Sequence, residues 1–275
     1  MSWRSRVNRH LGKLTGYELR RSAPPPAPRR PASPAPGKQS AESGPSAPSG
    51  PKLPADYDDE TREIIGAVRP YTMTSPERLN AFVLACRYVA RHRIPGSIVE
   101  CGVWRGGSMQ AAAHSLISAG DTDRDLYLFD TFEGMPPPTE KDRRRDGEMA
   151  SDLLARRGKD APIWAVATLE DVQQGFEQVP YPKERVHYVQ GKVEDTVPAG
   201  APEQIAILRL DTDWYASTRH ELSHLYPRLV SGGVLLIDDY GWWQGSREAV
   251  DEFLEETGAR LLLLRMDEGR IAVKP

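Results

Sequence analysis

Residues 97–108 have the sequence SIVECGVWRGGS, and this stretch decides the fold. Its apolar first part predicts a buried strand, the glycines at positions 102, 106 and 107 predict a turn, and a helix is predicted from Ser108. A strand, a glycine-rich turn and a helix in this order are typical of α/β proteins that bind a nucleotide-like ligand beyond the strand. A tight structural turn would show the same pattern, so this segment alone leaves both interpretations open.

Short apolar runs alternate with helical patterns from residue 56 onward, as expected for a parallel sheet covered by helices on both faces. A short turn from Met266 to Gly269 joins the last two strands, so these must be antiparallel. The prediction is an α/β fold with a seven-stranded, mostly parallel sheet that ends in an antiparallel hairpin. Strands are predicted at 97–101, 126–129, 186–189, 205–210, 234–237, 260–264 and 270–274, and helices from Ser75-Pro76 and at 108–118, 168–178, 218–229 and 246–256.

Composition divides the chain into three parts. Residues 1–22 are basic and fit a short amphipathic helix that touches an anionic membrane surface or a partner, although a solvated arm has the same composition. Residues 23–54 hold 11 of the 24 prolines, which predicts a disordered linker. Residues 55–275 are predicted to be one acidic globular domain. Its long connection around residues 133–183 is predicted to be either a lid or an insertion without function.

Composition also narrows the function classes. The chain has 275 residues, 39% of them apolar, and a net charge of −3, which fits a soluble globular protein. It has neither an apolar stretch long enough for a membrane span nor the apolar core of a secretory signal, so a cytoplasmic location is expected. The basic run lacks interleaved aromatic residues, which argues against nucleic-acid binding. Cys86 and Cys101 lack metal-binding spacing and are expected to be buried, reduced thiols.

Glu100, at the end of the first strand, favours S-adenosylmethionine (SAM) over a dinucleotide. Its charge would repel a pyrophosphate but suits the cationic amino-acid end or the hydroxyls of SAM. Asp130 ends the second strand thirty residues later, where an acidic side chain can accept hydrogen bonds from ribose hydroxyls. Asp130-Thr131 could instead cap the segment that follows, yet an acid at the end of a buried strand costs free energy unless it is used. A SAM pocket is therefore predicted beside both acids.

Two acidic clusters follow the fourth and fifth strands. Asp211 and Asp213 come after one strand, and Asp238 and Asp239 come after the next. If these strands are neighbours, the carboxylates converge at one edge of the sheet. They then repel each other unless a cation neutralises them. Because their ligand atoms are oxygens, Mg²⁺, Mn²⁺ or Ca²⁺ is the expected cation. The metal would orient an acceptor hydroxyl and lower its pKa, with Asp211 as the candidate base ahead of His220. Alternatively, Asp213 caps a helix and Asp238 is an ordinary strand-end acid.

Together these motifs resemble the macrocin O-methyltransferase family, also called TylF-type, whose members methylate sugar hydroxyls of macrolide and aminocoumarin antibiotics. The resemblance covers about residues 56–253. It implies the class I SAM-dependent methyltransferase (Rossmann-like) fold, SAM and Mg²⁺ as cofactors, a place in antibiotic biosynthesis, and a homo-oligomer. The motifs that carry it are VRPYTMTSPER (68–78), IVECGVWRGGSM (98–109), DLYLFDTFEGMP (125–136), GKVEDT (191–196), LRLDTDWYASTRHEL (208–222) and GGVLLIDDYGWWQG (232–245).

The resemblance also implies roles for individual residues. The metal would be held by Asp211, Asp238 and Asp239. In related catechol-type enzymes a lysine shortly after the first metal aspartate is the base; here Trp214 stands in that stretch, so a metal-bound aspartate such as Asp211 takes that role. The chain segment that encloses SAM would be Tyr71, Thr72, Met73 and Thr74. The amino-acid end of SAM would contact Glu100 and Gly102, and its ribose would contact Asp130. Its adenine would lie near Val193 and Glu194, and Ser108 and Thr131 would be further pocket residues.

The expected activity is methyl transfer to a sugar hydroxyl of a glycosylated natural product or a glycan. A metal-dependent hydrolase or phosphotransfer enzyme, or a SAM-binding module that has lost catalysis, are the alternatives. Phosphoryl chemistry would require a phosphate cradle or a basic clamp, whereas Tyr240, Trp242 and Trp243 follow the second acidic cluster, and aromatic rings suit a sugar face. Because all three candidate metal ligands are present, lost catalysis is disfavoured.

Overall fold

The computed structural model describes residues 53–157 and 164–275, so the predictions for the basic head and most of the linker lie outside the described residues. Within these ranges seven strands form a mixed sheet in the order β3-β2-β1-β4-β5-β7-β6. The five strands β1 to β5 run parallel and the hairpin β6-β7 is antiparallel, as predicted. The strands are β1 Ser97–Cys101, β2 Leu126–Asp130, β3 Val186–Gln190, β4 Ile205–Leu210, β5 Leu229–Ile237, β6 Leu264–Met266 and β7 Gly269–Val273.

The helices that begin at Asp59, Pro76 and Leu169 each start where a polar side chain accepts a hydrogen bond from one of the first free backbone N–H groups. The side chain of Ser75 accepts a hydrogen bond from the Arg78 N–H at 3.3 Å, and Pro76 occupies the first turn, so the predicted helix start is confirmed. None of the helices in the described ranges is long and apolar enough to cross a membrane. The helices are α1 Asp59–Val68, α2 Pro76–Arg91, α3 Gly107–Ala119, α4 Ala150–Arg156, α5 Leu169–Phe176, α6 Val193–Thr196, α7 Tyr215–Leu225 and α8 Gln244–Thr257.

The sheet has an apolar layer on each face. One layer packs α2 and α3 against the sheet and includes Cys86, and the other packs α7 and α8 against it and includes Cys101. Both cysteines are buried and unpaired, as predicted. Strands β1 and β4 lie at the centre, and every residue in both is buried. Since apolar side chains cover both faces, the central strands are held rigidly and their carboxyl ends have fixed positions.

Three predicted elements have wrong bounds. The fifth strand begins at Leu229, five residues before the predicted start at residue 234. The sixth strand covers Leu264–Met266 instead of 260–264, because the two-residue turn pairs Met266 with Gly269 and thereby sets the hairpin register. Leu262, in the predicted strand, is 77% exposed. Helix α7 begins at Tyr215, before the predicted residue 218, and ends at Leu225, before the 3₁₀ turn that contains Pro227.

Candidate active site

The carboxyl ends of the parallel strands surround a cavity of about 590 Å³. Its walls come from the segments that follow β1, β2, β3, β4 and β5, together with the β6-β7 turn and the chain before α2. Ligand cavities of roughly 300–1,000 Å³ hold cofactor-sized molecules. This is the edge at which open α/β sheets bind their ligands.

Most of the predicted cofactor residues line this cavity. They come from four separate parts of the chain, which the sheet brings together. Tyr71 and Glu100 lie outside the lining: the hydroxyl of Tyr71 accepts a hydrogen bond from Gln178 Nε2 at 2.8 Å, and its ring packs under the guanidinium of Arg105. The predicted residues that line the cavity are Thr72, Met73, Thr74, Gly102, Ser108, Asp130, Thr131, Val193 and Glu194.

Glu100 is fully buried beneath the cavity floor. Its Oε1 accepts a hydrogen bond from Ser108 Oγ at 2.8 Å and forms an ion pair with Arg209. Its Oε2 has no hydrogen-bond partner among the described residues. The charge that was expected to meet the amino group of SAM is therefore neutralised from within the protein, and Ser108 is the residue of this group that reaches the cavity.

Asp130 holds the glycine-rich turn in place. Its Oδ2 accepts the backbone N–H groups of Val103 and Trp104, each at 2.9 Å, and its Oδ1 accepts the N–H of Phe132 at 2.9 Å. Burial raises the pKa of Asp130, although the three N–H donors oppose this shift. A carboxylate has about four acceptor positions, and the hydroxyl of Thr131, 3.4 Å from Oδ1, is the fourth neighbour of this one, so the bond to a ribose hydroxyl stays a prediction.

Gly102 allows the turn after β1 to touch the chain after β4. Its φ is +83°, and a Cβ built on it would lie 2.1 Å from the carbonyl oxygen of Asp211. A side chain there is excluded both by conformation and by space. Gly102 therefore makes the tight backbone contact of a structural turn, and it also lines the cavity, so its contact with a cofactor stays a prediction.

The four aspartates of the acidic clusters all line the cavity, because β4 and β5 are neighbours with Leu210 paired to Ile237. Asp238 is engaged by two arginines. Arg209 Nε donates to its Oδ1 at 3.0 Å, while Arg209 Nη2 and Arg78 Nη1 donate to its Oδ2 at 2.5 and 2.9 Å. Within residues 53–157 and 164–275, no three acidic, histidine or cysteine side chains are arranged to hold one metal ion together.

The remaining three acids, Asp211, Asp213 and Asp239, have raised pKa values because they are buried close to other carboxyl groups. Burial and the charge of Asp238 raise the pKa of Asp211 well above its usual range, and burial and the charge of Asp213 do the same for Asp239. Burial and the charge of Asp211 raise the pKa of Asp213 to about 7, against a hydrogen bond that Trp243 Nε1 donates to it at 2.6 Å. Asp239 Oδ2 is buried without a partner in the described part of the chain.

Sequence reasoning missed Arg78 and Arg209. Arg209 carried a usable signal: it interrupts the apolar strand IAILRL, and a charge in a buried strand requires a partner. Arg78, in the first turn of α2, carries no such signal. Asp213 was considered as a helix cap, but Trp214 is the N-cap residue of α7 and its side chain makes no capping bond. The side chain of His220 contacts the Val197 carbonyl oxygen at 3.0 Å, away from the cavity lining.

Two tryptophans that follow the second acidic cluster also line the cavity. Trp242 and Trp243 line the cavity, and Trp214 packs edge-on against Trp243 with ring centroids 5.0 Å apart. Trp214 is 3% exposed, and its Nε1 donates to the Pro136 carbonyl at 2.9 Å. Trp214, which stands in the stretch where the resemblance to catechol-type enzymes would place a lysine, therefore anchors the long connection after β2 and carries no basic group.

The first part of that connection is tied to the site. Asp142 is fully buried, and its carboxylate accepts the N–H of Tyr215 at 2.8 Å and the N–H of Thr139 at 2.6 Å. Arg144 forms a β-bridge with Trp243. Residues 134–136, together with Ala165, line the cavity, so this connection supplies a wall of the site. The lid prediction also concerns residues 158–163, which lie outside the described ranges.

Comparison with known protein families shows to which family the chain belongs. A family model described as macrocin-O-methyltransferase (TylF) matches residues 51–273. The chain belongs to this family. The resemblance inferred from the motifs is confirmed, and the chain is an SAM-dependent O-methyltransferase, which decides against a metal-dependent hydrolase or phosphotransfer enzyme.

Individual relatives of this TylF-family protein are also O-methyltransferases. The mycinamicin III 3''-O-methyltransferase of Micromonospora griseorubida is 34% identical over 197 residues, which cover 72% of this chain and 75% of the relative. The demethyldecarbamoylnovobiocin O-methyltransferase of Streptomyces niveus is 33% identical over 183 residues, 66% of this chain and 67% of the relative. The solved structure of the O-methyltransferase NovP superposes with a TM-score of 0.66 at 30% identity, covering 74% of this chain and 82% of that chain. The class I methyltransferase fold is confirmed.

Proposed function

We propose that the protein transfers the methyl group of SAM to a sugar hydroxyl of a glycosylated natural product, with Mg²⁺ bound at the acidic clusters. The observation that carries the proposal is one cavity with two unlike halves. The chain before α2, the turn after β1, Asp130-Thr131 and the segment after β3 form the cofactor half. The four aspartates with Trp242 and Trp243 form the acceptor half. Cofactor and acceptor are thereby given adjoining places. The similar enzymes that act in mycinamicin and novobiocin biosynthesis support an antibiotic-type acceptor.

The charge of the cavity supports a neutral glycoside over a phosphorylated sugar. Among the described residues, eight acidic and two basic side chains line it. The two basic ones are Arg78, which is paired with Asp238, and Lys192. A phosphate or diphosphate group would meet this negative surface without an arginine clamp. Indole rings, in contrast, pack well against the apolar face of a sugar ring.

A divalent cation fits the donor chemistry of the acidic half. Four aspartates face two arginines, so the carboxyl groups outnumber the positive charges. Oδ2 of Asp239, which has no partner in the described part of the chain, is a hard oxygen that needs one. Asp211 and Asp239 would hold the ion. Asp238, the third predicted ligand, would join them by exchanging a contact with Arg78 or Arg209. When bound, the ion would supply positive charge that lowers the pKa of the acceptor hydroxyl.

The chain's own residues would then orient and deprotonate the acceptor. Trp242 would pack against the sugar face and exclude water from it. The carboxylate of Asp211 would accept the hydroxyl proton while the acceptor oxygen forms its bond to the methyl carbon and the carbon–sulfur bond of SAM breaks, leaving a neutral thioether. Methyl transfer of this kind requires no protein nucleophile, and proximity with correct orientation supplies much of the rate.

The test combines calorimetric titration of SAM with turnover on glycosylated macrolides, glycosylated aminocoumarins and nucleotide sugars, with Mg²⁺ or with EDTA. We expect turnover on a glycoside that EDTA abolishes. Asp239→Asn should lower turnover at least about 100-fold and leave the SAM Kd within a few fold, since the metal serves the acceptor. Asp125→Asn is the control, because Asp125 pairs with Arg185 and His187 at the opposite end of the sheet. Turnover that persists in EDTA refutes the metal, and turnover only on nucleotide sugars refutes the acceptor class.

A further inference from the structure

Arg209 lies below the floor of the cavity, near the carboxyl end of β4. Its side chain is 1% exposed, and it contacts both halves of the site. Toward the cofactor half, Nη1 donates to Ser108 Oγ at 2.6 Å and pairs with Glu100, and Nη2 donates to Thr74 Oγ1 at 3.0 Å. Ser108 and Thr74 both line the cavity.

The same guanidinium holds the acceptor half. Its Nη2 lies 2.9 Å from Asp211 Oδ2 and 2.5 Å from Asp238 Oδ2, and its Nε donates to Asp238 Oδ1 at 3.0 Å. A guanidinium carries five N–H donors in one rigid plane. The guanidinium of Arg209 therefore fixes the distance between its contacts in the cofactor half and its contacts in the acceptor half. A lysine ammonium is a single point of charge and cannot span them.

Asp211 depends on this contact for its orientation. Its side chain is 24% exposed in the cavity, and Arg209 is its ion-pair partner among the described residues. Asp238, in contrast, is also held by Arg78. Loss of the Arg209 fork would leave Asp238 anchored by its second arginine and leave the Asp211 carboxylate without an ion-pair partner among the described protein residues.

We propose that Arg209 is a positioning residue that sets the Asp211 carboxylate relative to the cofactor floor formed by Thr74 and Ser108. This inference rests on the role of Asp211 in the proposed function. Arg209 itself touches neither substrate. It acts through Asp211, so its effect belongs to the rate of transfer and not to the affinity for SAM. If Arg209 served only to neutralise buried acids, any cation in its place would preserve the rate.

The decisive variant is Arg209→Lys, which keeps the charge and removes the fork. Arg124→Lys is the matched control: Arg124 is 8% exposed, pairs with Asp121 and donates to the carbonyls of Ile94 and Gly96 at the amino end of the sheet. We expect Arg209→Lys to lower kcat by about 100-fold, as for a displacement of about 1 Å at a catalytic group, with KM for the acceptor and the SAM Kd within threefold. Arg124→Lys should match it in thermal stability and keep wild-type kcat.

A double variant covers the case in which lysine at position 209 prevents folding. Glu100→Gln with Arg209→Met removes both charges of one buried pair and leaves Asp238 with Arg78. This protein should fold, bind SAM within about fivefold of wild type, and show the same loss of kcat. Wild-type kcat in either variant overturns the proposal, and so does a loss of SAM affinity that accounts for the loss of rate.

A measurement without acceptor separates this inference from the proposed function. Crystal structures of wild-type and Arg209→Lys proteins with S-adenosylhomocysteine should show the Asp211 carboxylate in a different rotamer, while Thr74 and Ser108 keep their places. An unchanged Asp211 overturns the inference whatever the acceptor proves to be. A failure of every glycoside in the wild-type assay counts against the proposed function alone.

Discussion

Gly102→Ala tests the backbone contact that joins the two halves of the site. Two effects are expected together. The first is conformational, since Gly102 has a φ of +83° and an alanine in the left-handed region costs about 1–2 kcal/mol. The second is steric. The new Cβ would lie 2.1 Å from the Asp211 carbonyl oxygen and 2.7 Å from its carbonyl carbon, so the turn after β1 and the chain after β4 must separate by about 1 Å.

Gly120→Ala separates these two effects. Gly120 ends α3 with a φ of +70°, and a Cβ there meets nothing within 4 Å. It carries the conformational cost alone, which corresponds to a fall in Tm of roughly 2–8 °C for a domain of this size. The Tm of Gly102→Ala should fall further than that of Gly120→Ala, because overpacking adds about 1–3 kcal/mol of destabilisation. A displacement of about 1 Å beside Asp211 should also lower kcat by about 100-fold.

The assay is thermal unfolding of both variants followed by turnover and SAM titration at a temperature where both are folded. Gly120→Ala should keep wild-type kcat and SAM affinity, since it lies at the far end of α3. Equal losses of Tm in the two variants, with kcat unchanged in Gly102→Ala, would refute the claim that the two loops are in contact.

Three further predictions concern one residue of the cavity wall, Trp242, and two buried acids outside the cavity lining, Glu221 and Asp142. Burial raises the pKa of Glu221 from 4.5 to about 8. Between these two pH values the folded protein holds a proton that the unfolded chain has released. The free energy of unfolding should therefore fall as the pH rises from about 4.5 to about 8. Glu221→Gln should flatten that slope in urea unfolding between pH 5 and 8, and parallel slopes would contradict the assignment. Asp142→Ala removes the acceptor of three hydrogen bonds, two from Thr139 and one from Tyr215. The free energy of unfolding should fall by about 3 kcal/mol, and proteolysis within residues 143–157 should become faster. Unchanged proteolysis would show that other contacts hold this wall of the cavity. Trp242→Ala should raise the acceptor KM roughly tenfold and leave the SAM Kd unchanged, whereas an equal loss of SAM affinity would place Trp242 in the cofactor half.

Local patterns were sufficient for the strands and for the edge at which the site lies. SIVEC and IAILRL are short apolar runs, and the structure places strands at both with the predicted bounds. Because parallel strands present their carboxyl ends at one edge, the acids that follow them had to share a cavity. The sixth strand was misplaced because its apolar run is longer than the segment that the hairpin register can pair.

Side-chain partners were beyond the reach of local patterns. Glu100 was expected to face the cofactor, and Asp238 to face a metal, yet both are ion-paired with Arg209. These partners are separated by 109 and 29 positions along the chain, and nothing in their spacing indicates the contact. The adjacency of β1, β4 and β5 in the sheet creates it.

The amino-acid sequence by itself determined the family, the mixed sheet and the set of acids at its carboxyl edge, since these depend on apolar periodicity, turn residues and long irregular motifs. Only the tertiary structure decided which acids stay free and which are neutralised from below. Asp239 keeps an unpartnered oxygen, whereas Asp238 accepts three hydrogen bonds from arginine side chains. The physical reason is that the demand of a buried charge for a partner acts through space, over a few ångströms, and the fold brings those partners together.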